Sequence, residues 1–232
     1  MDSRYYNKYA VAAVRGSLKR LGKTELLSAE LMEKELDCLT ESECDAILGA
    51  AEQSDIKLYH FKATHNDMPR VKKVLGFLRG VYFETLLDVG SGRGVFLIPF
   101  MEAFPYIKVS SVDILPKRVE MLEDIKNGGA DELEVFSANI CEKPFADKSA
   151  DIVTMLEVLE HIPDVEAAIR SAVKIAKKYI VVTVPSKEDD NPEHIHLLTK
   201  EKLTEYFGRA GVTKLSFDGV PGHLFMIAKV GE

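Results

Sequence analysis

Cysteine, net positive charge and long apolar runs are all scarce in this chain, and each shortage removes a class of protein. Three cysteines, Cys38, Cys44 and Cys141, are odd in number and share no C-x-x-C spacing. That argues against a disulfide framework or a cysteine zinc site, and for a reducing, cytoplasmic setting. No apolar stretch approaches the roughly 18 residues of a membrane span, and the polar opening from Met1 to Lys8 has no apolar signal core. Neither membrane insertion nor export is expected. Lys and Arg number 30 against 37 Asp and Glu, a net charge of −7. A bulk electrostatic nucleic-acid binder is therefore disfavoured, although a local basic groove is compatible with that total. With 15 glycines and 9 prolines in 232 residues, the chain is neither collagen-like nor low in complexity. What remains is a globular protein, 46% hydrophobic, long enough for one domain, or one domain plus a helical extension, around a real core.

Two textures divide it. Residues 1–82 carry helical spacing without a convincing strand: Tyr5, Tyr9, Ala12, Ala13, Leu18 and Leu21, then Leu26, Leu27, Leu31, Met32 and Leu36. Asn66 or Asp67 is placed to cap a helix with Pro69 in its first turn and Val71, Val74, Leu75 and Leu78 on one face. Gly49 to Asp67 reads as connection around one short helix. From residue 83 to 232, short β-branched runs alternate with helical stretches. Strands are predicted over 85–89, 108–113, 133–137, 152–156, 179–184, 214–217 and 224–229. Helices are predicted over 95–103, 116–126, 165–177 and 200–210. Runs such as Tyr179-Ile180-Val181-Val182-Thr183-Val184 are apolar on both faces, as buried parallel strands are. The alternation predicts an α/β fold with a doubly wound, mostly parallel sheet.

The segment Thr85-Leu86-Leu87-Asp88-Val89-Gly90-Ser91-Gly92-Arg93-Gly94 is the most informative. An apolar strand meets an acid, then three glycines at alternate positions, then a helix. Glycine permits positive φ and lets a ligand lie on bare backbone, and strand ends are where open α/β sheets bind ligands. The dinucleotide spacing G-x-G-x-x-G fails at Val95, and no lysine follows Gly94 as a P-loop requires. Asp88 would repel a pyrophosphate but suits a ligand carrying an ammonium and a sulfonium.

At this point the sequence resembles the class I S-adenosylmethionine-dependent methyltransferases. Asp88-Val-Gly-Ser-Gly-Arg-Gly looks like their first motif, and the likeness continues through Ser111-Val112-Asp113-Ile114, Ser137-Ala138-Asn139-Ile140 and Glu157-Val-Leu-Glu160-His161-Ile-Pro-Asp164 to His194-Ile-His196-Leu-Leu-Thr199. The resemblance implies a Rossmann-like, seven-stranded sheet whose last strand is antiparallel. It implies S-adenosylmethionine as cofactor and S-adenosylhomocysteine as product. The cofactor would be held by Asp88, Gly90, Ser91, Gly92 and Gly94 on the turn, by Asp113 and Ile114 at the ribose, by Asn139 and Ile140 at the adenine, and by Leu156. Each residue also has a plain reading: glycines shaping a tight turn, Asp113 as a solvated loop acid, Asn139 as a helix cap.

Glu157, Glu160 and His161 fall at i, i+3 and i+4, so a helical turn there brings them to one face. The reading adopted is metal-free: Glu157 lines the acceptor pocket, Glu160 is structural, and His161 is a base or orients the loop. The acceptor is then a small molecule. The alternative adds His194 to those three as a divalent-metal site, an arrangement similar to that of the metal-dependent RNA 3′-terminal ribose methyltransferases, with RNA as acceptor. The chain departs from that subfamily at Pro185-Ser186-Lys187-Glu188 and at Leu197-Leu198. Residues 1–82 are expected to cover the site, with Tyr5, Tyr6 and Tyr9 as lid residues. The competing expectation is that these tyrosines pack on flanking helices or on a second subunit of a homodimer.

Overall fold

The computed structural model describes residues 8–58, 61, 65–188 and 190–231. Its helices are α1 (Lys8–Leu21), α2 (Ala29–Glu33), α3 (Glu41–Gln53), α4 (Pro69–Arg79), α5 (Leu97–Ala103), α6 (Pro116–Asn127), α7 (Val165–Ile175) and α8 (Lys200–Arg209). Its strands are β1 (Thr85–Val89), β2 (Lys108–Asp113), β3 (Leu133–Ser137), β4 (Ala150–Leu156), β5 (Ala176–Pro185), β6 (Leu215–Val220) and β7 (His223–Lys229). They form one sheet in the order β3-β2-β1-β4-β5-β7-β6. Strands β1 to β5 are parallel, and β7 runs antiparallel to both β5 and β6. This is the doubly wound, mostly parallel sheet that the alternation of elements predicts, in the seven-stranded Rossmann-like form that the resemblance implies. Strand order reverses between β1 and β4, which opens a crevice at their carboxyl ends.

Side chains alternate across the sheet with period two. Leu86, Ile152 and Val181 face one buried cluster with α1, α3, α4, α5 and α6, whereas Leu87, Val153, Ile180 and Val182 face the other with α7 and α8. No described helix is long and apolar enough to cross a membrane.

The N-terminal helices share this core. A Cβ on Gly16 would sit 1.8 Å from the Asp124 carbonyl oxygen, and one on Gly128 would sit 1.7 Å from that of Ala12. The backbones of α1 and α6 therefore touch, and only glycine fits at either crossing point. Ser17 Oγ donates to Asp124 Oδ2 at 2.6 Å, and Arg20 donates to the same carboxylate through Nε and Nη2 at 2.9 and 2.7 Å. Tyr9 is fully buried in this interface, its hydroxyl donating to Glu132 Oε1 at 2.6 Å. For Tyr9 the structure shows packing on a flanking helix; Tyr5 and Tyr6 lie outside the described residues.

Several boundaries differ from the sequence reading. The leucine stretch 26–36 is two 3₁₀ turns flanking the five-residue α2. Helix α3 was not anticipated, though Thr40 and Glu43 form a reciprocal capping box at its start. Neither Asn66 nor Asp67 caps α4: Met68 holds the N-cap position without a side-chain bond. Asn66 donates instead to Glu102, and Asp67 pairs with Lys72. Helix α7 stops at Ile175 because Ala176 already pairs with Ala150 in the sheet.

Candidate active site

The turn after β1 takes the form its glycines permit. Gly90, Gly92 and Gly94 have φ of +66°, +56° and +74°. Gly90 N–H donates to the Val112 carbonyl and Gly94 N–H to that of Ser91. A Cβ on Gly90 would lie 2.3 Å from Val158 Cγ2, so the loop after β4 closes directly over bare backbone. Asp113 is fastened to this turn: its Oδ2 accepts from Gly92 N–H at 3.0 Å and its Oδ1 from Leu115 N–H at 2.9 Å.

Asp88 is 2% exposed, and Thr154 Oγ1 donates to its Oδ1 at 2.6 Å. Burial pushes this carboxyl up from 3.8 to about 6. The hydroxyls of Thr154 and Ser91 pull against that rise, and the charge on Asp113 adds to it.

Two cavities flank the turn. The smaller, about 160 Å³, is lined by Arg70, Asp88, Ser91, Phe96, Leu156 and Thr183. The larger, about 480 Å³, is lined by Asp113, Ile114, Leu115, Asn139, Ile140 and His161. Both include Gly90, Gly92 and Glu157 in their walls. Ile114 and Leu115 expose 62% and 55% of their surface at the lip of the larger one. Of the cofactor residues expected from the sequence, Gly94 alone lines neither cavity; it shapes the turn. Asn139 lines the larger cavity while capping the 3₁₀ turn Ile140–Glu142, its Oδ1 accepting from Cys141 N–H and its Nδ2 donating to Glu142.

The segment after β4 corrects one expectation. Glu157 has φ of +56°, a left-handed conformation that is strained for a non-glycine residue. Only Leu159–His161 forms a 3₁₀ turn, so Glu157 is not on one face with Glu160 and His161. Donor atoms of Glu160, His161 and His194 lie within 4.8 Å of one another, and the two imidazoles meet edge-on at 4.8 Å. His161 Nδ1 donates to the Glu193 carbonyl at 2.9 Å. Three of the four alternative metal ligands are therefore together, and Glu157 is apart from them.

Glu157 is held by the first residue of β7, the strand that pairs with β5. Its Oε2 lies 3.0 Å from His223 Nε2, while His223 Nδ1 meets the Pro221 carbonyl at 3.0 Å. Oε1 of Glu157 and Oγ1 of Thr183 are buried without a hydrogen-bond partner among the described residues. A buried polar atom left so costs about 1–3 kcal/mol until something satisfies it. Sequence reasoning missed His223, Thr183, Thr154 and Arg70. Only the β5–β7 register, with Pro185 opposite His223, brings the first to the site, and nothing local in the sequence signals it.

Comparisons with known proteins bear on this site. A family model described as a methyltransferase domain matches residues 57–216. The chain is 28% identical over 151 residues to the 27-O-demethylrifamycin SV methyltransferase of Amycolatopsis mediterranei (strain S699), covering 61% of this chain and 52% of that protein. It is 42% identical over 78 residues to the ribosomal RNA small subunit methyltransferase G of Limosilactobacillus reuteri (strain DSM 20016), covering 30% and 31%. A SAM-dependent methyltransferase from Aquifex aeolicus superimposes with a TM-score of 0.59 at 19% identity, over 78% of this chain and 96% of that one; at such identity the likeness is one of fold. The chain spans about half, or less, of the length of the curated relatives it matches.

Proposed function

Because the chain belongs to the class I S-adenosylmethionine-dependent methyltransferase family, we propose that it binds this cofactor across the Gly90–Gly94 turn and methylates a small molecule. The observation that carries the reading is the pair of cavities meeting over Gly90 and Gly92. One ligand can lie across that bare backbone with a cationic end beside Asp88 and a nucleoside end beside Asp113.

The residues present suit the group. Asp88 offers a buried carboxylate to its ammonium. Each oxygen of Asp113 accepts one backbone N–H and keeps a lone pair for a ribose hydroxyl. Ile114 and Leu115 offer apolar surface to the adenine, and Asn139, capping its own turn, stiffens the wall opposite. The cofactor supplies a methyl group on a cationic sulfur, and the protein supplies alignment of the nucleophile at about 3 Å, which accounts for much of such catalysis. Val158 over Gly90 and Phe96 beside Ser91 narrow the space in which water competes. His161, tied to the Glu193 carbonyl, fixes the loop after β4 against residues 193–196.

The small-molecule reading is supported by cavities of molecular size and by the rifamycin-modifying relative. Titration calorimetry is expected to give one-to-one binding of S-adenosylmethionine and S-adenosylhomocysteine, and no heat with NAD or FMN; the opposite pattern would overturn the reading. Transfer of labelled methyl is expected to small hydroxylated or amine compounds and not to short RNA.

A second reading, a metal-dependent RNA 3′-terminal ribose 2′-O-methyltransferase, is favoured by the grouping of Glu160, His161 and His194. The engagement of Glu157 by His223 weighs against it. Elemental analysis is expected to find no stoichiometric divalent metal in the purified chain, and methyl transfer is expected to survive chelation. One metal per chain, lost in His194→Ala, would install the second reading instead.

A further inference from the structure

Asp88 stands in a short row of polar residues laid across the middle of the sheet. In register it is flanked by Ser111 on β2 and by Thr154 on β4, whereas the next partners outward are apolar, Val135 on β3 and Val181 on β5. Ser111 and Thr154 are fully buried. They share the face of Asp88, which one residue-pair deeper is made of Leu86 and Ile152. A buried hydroxyl costs free energy unless it is bonded, and each of these is. Ser111 donates to Ser91 Oγ at 2.8 Å, and Ser91 donates in turn to the Asp88 carbonyl at 3.2 Å. Thr154 has one proton to give and two acceptors near it, Asp88 Oδ1 at 2.6 Å and the Leu87 carbonyl at 3.4 Å. The shorter contact takes it. Its length is that of a hydroxyl bound to a carboxylate, about 2.5–2.7 Å.

Resting on the function proposed above, we infer that Thr154 is a positioning residue for the cofactor: fixed to Oδ1, it keeps Asp88 as a carboxylate in the wall of the smaller cavity, ready for the ammonium of the amino-acid end. A buried carboxyl without a donor keeps its proton, because the charged form is the costlier one away from water. Burial drives Asp88 that way, up to about 6, and the Thr154 hydroxyl pulls against it. The charged groups around this carboxylate come from four elements. Asp113 at the end of β2 opposes its ionisation, Arg93 of the turn and Arg70 of α4 reach the same cavity, and Glu157 after β4 lines it while engaged by His223. Against that background the bond from Thr154 is the one contact that a substitution can delete with the shape kept, since valine is its isostere without the hydroxyl. Cofactor affinity near neutral pH then rests on a threonine one strand away from the glycine turn.

The test is calorimetry on the full chain between pH 5 and pH 7.5. Two ligands are compared, S-adenosylhomocysteine and 5′-methylthioadenosine, which lacks the amino-acid end. In the parent, affinity for the first is expected to rise with pH and to level off above about 6, and affinity for the second to stay flat. In Thr154→Val the rise is expected to move up by about one to two pH units, leaving S-adenosylhomocysteine bound about 2- to 10-fold more weakly at pH 7. Affinity for 5′-methylthioadenosine is expected to be unchanged by the same substitution. Thr154→Ser keeps the donor and is expected to restore the parent profile. If Thr154→Val does not fold, Thr154→Cys serves: its thiol is a weak donor, and a smaller shift in the same direction is expected. A residue that only supports the fold would weaken both ligands alike. An equal loss for both at every pH, a profile that keeps its midpoint in these variants, or a parent profile flat with pH overturns the inference while binding persists. A parent chain that binds neither ligand overturns the underlying function instead.

Discussion

Asp88→Asn isolates the electrostatics of the cofactor crevice. Burial raises this carboxyl from 3.8 to about 6, so the native chain holds its proton more tightly than the unfolded chain does. A group whose folded value lies above its unfolded one contributes stability that is fully present below about pH 3.8 and lost as pH rises through about 6. Roughly two pKa units correspond to about 3 kcal/mol. The ligand-free protein is therefore expected to lose about 3 kcal/mol, relative to Asp88→Asn, between pH 4 and pH 7.5. The amide keeps the shape and can still accept from Thr154, and it cannot ionise. Urea unfolding of both proteins across that range, plotted as a difference, cancels acids whose values are depressed, such as Asp151 with its bond from Glu84 N–H and its lysine neighbours. The same ionisation is coupled to the ligand: an ammonium beside Asp88 favours the carboxylate, so cofactor affinity in the parent is expected to climb from pH 5 to pH 7 and in Asp88→Asn to stay flat. A stability difference that does not vary with pH, or one in which the parent gains as pH rises, would refute the reasoning.

Other expectations follow from contacts of known length. Asp113→Ala leaves Gly92 N–H and Leu115 N–H without their acceptor and removes the ribose partner; cofactor affinity measured by calorimetry is expected to fall by roughly 1–3 kcal/mol, about 5- to 150-fold. Gly90→Ala drives a methyl to 2.3 Å from Val158 Cγ2 at a φ of +66°; cofactor binding is expected to be lost, and Val158→Ala to recover it only in part, because the backbone strain remains. Gly16→Ala places a methyl 1.8 Å from the Asp124 carbonyl oxygen, which must push α1 off α6; a loss of about 3 kcal/mol in urea unfolding is expected, with a similar loss for Gly128→Ala.

How much of this was legible in the sequence follows from the range of the interactions concerned. The strands and the Gly90–Gly94 turn are written locally, in β-branched runs and in glycines that no other residue replaces at positive φ. The position of Asp113 at the end of β2 was legible in the strand itself, whereas a ribose-binding role for it came from the family resemblance. Helix α3 is signalled by Thr40 and Glu43 at capping-box spacing, but Gly49 and the polar residues after it blur the helical period. The docking of α1 was not legible, since Gly16 and Gly128 look like ordinary breakers until the crossing of two helices makes each a contact point. His223 was the least legible. Its neighbours Pro221 and Gly222 mark a turn, and its meaning depends on pairing opposite Pro185 in a strand that follows β5 only after helix α8 and strand β6.

The string Glu157-Val-Leu-Glu160-His161 shows why motif spacing underdetermines chemistry. With helical dihedrals throughout, its two acids and imidazole would gather with His194 into a four-donor site suited to a hard divalent ion. With φ of +56° at Glu157 alone, one carboxylate leaves that group and joins His223, and three donors remain. A left-handed non-glycine residue costs about 1–3 kcal/mol, and the contact to His223 and the Glu157 N–H bond to the Thr183 carbonyl stand against that cost. A chain with the same five residues and an apolar side chain at the place of His223 loses that contact and leaves Glu157 Oε2 without it, so a residue distant in sequence and contributed by the last strand helps to set where the first acid of the motif points.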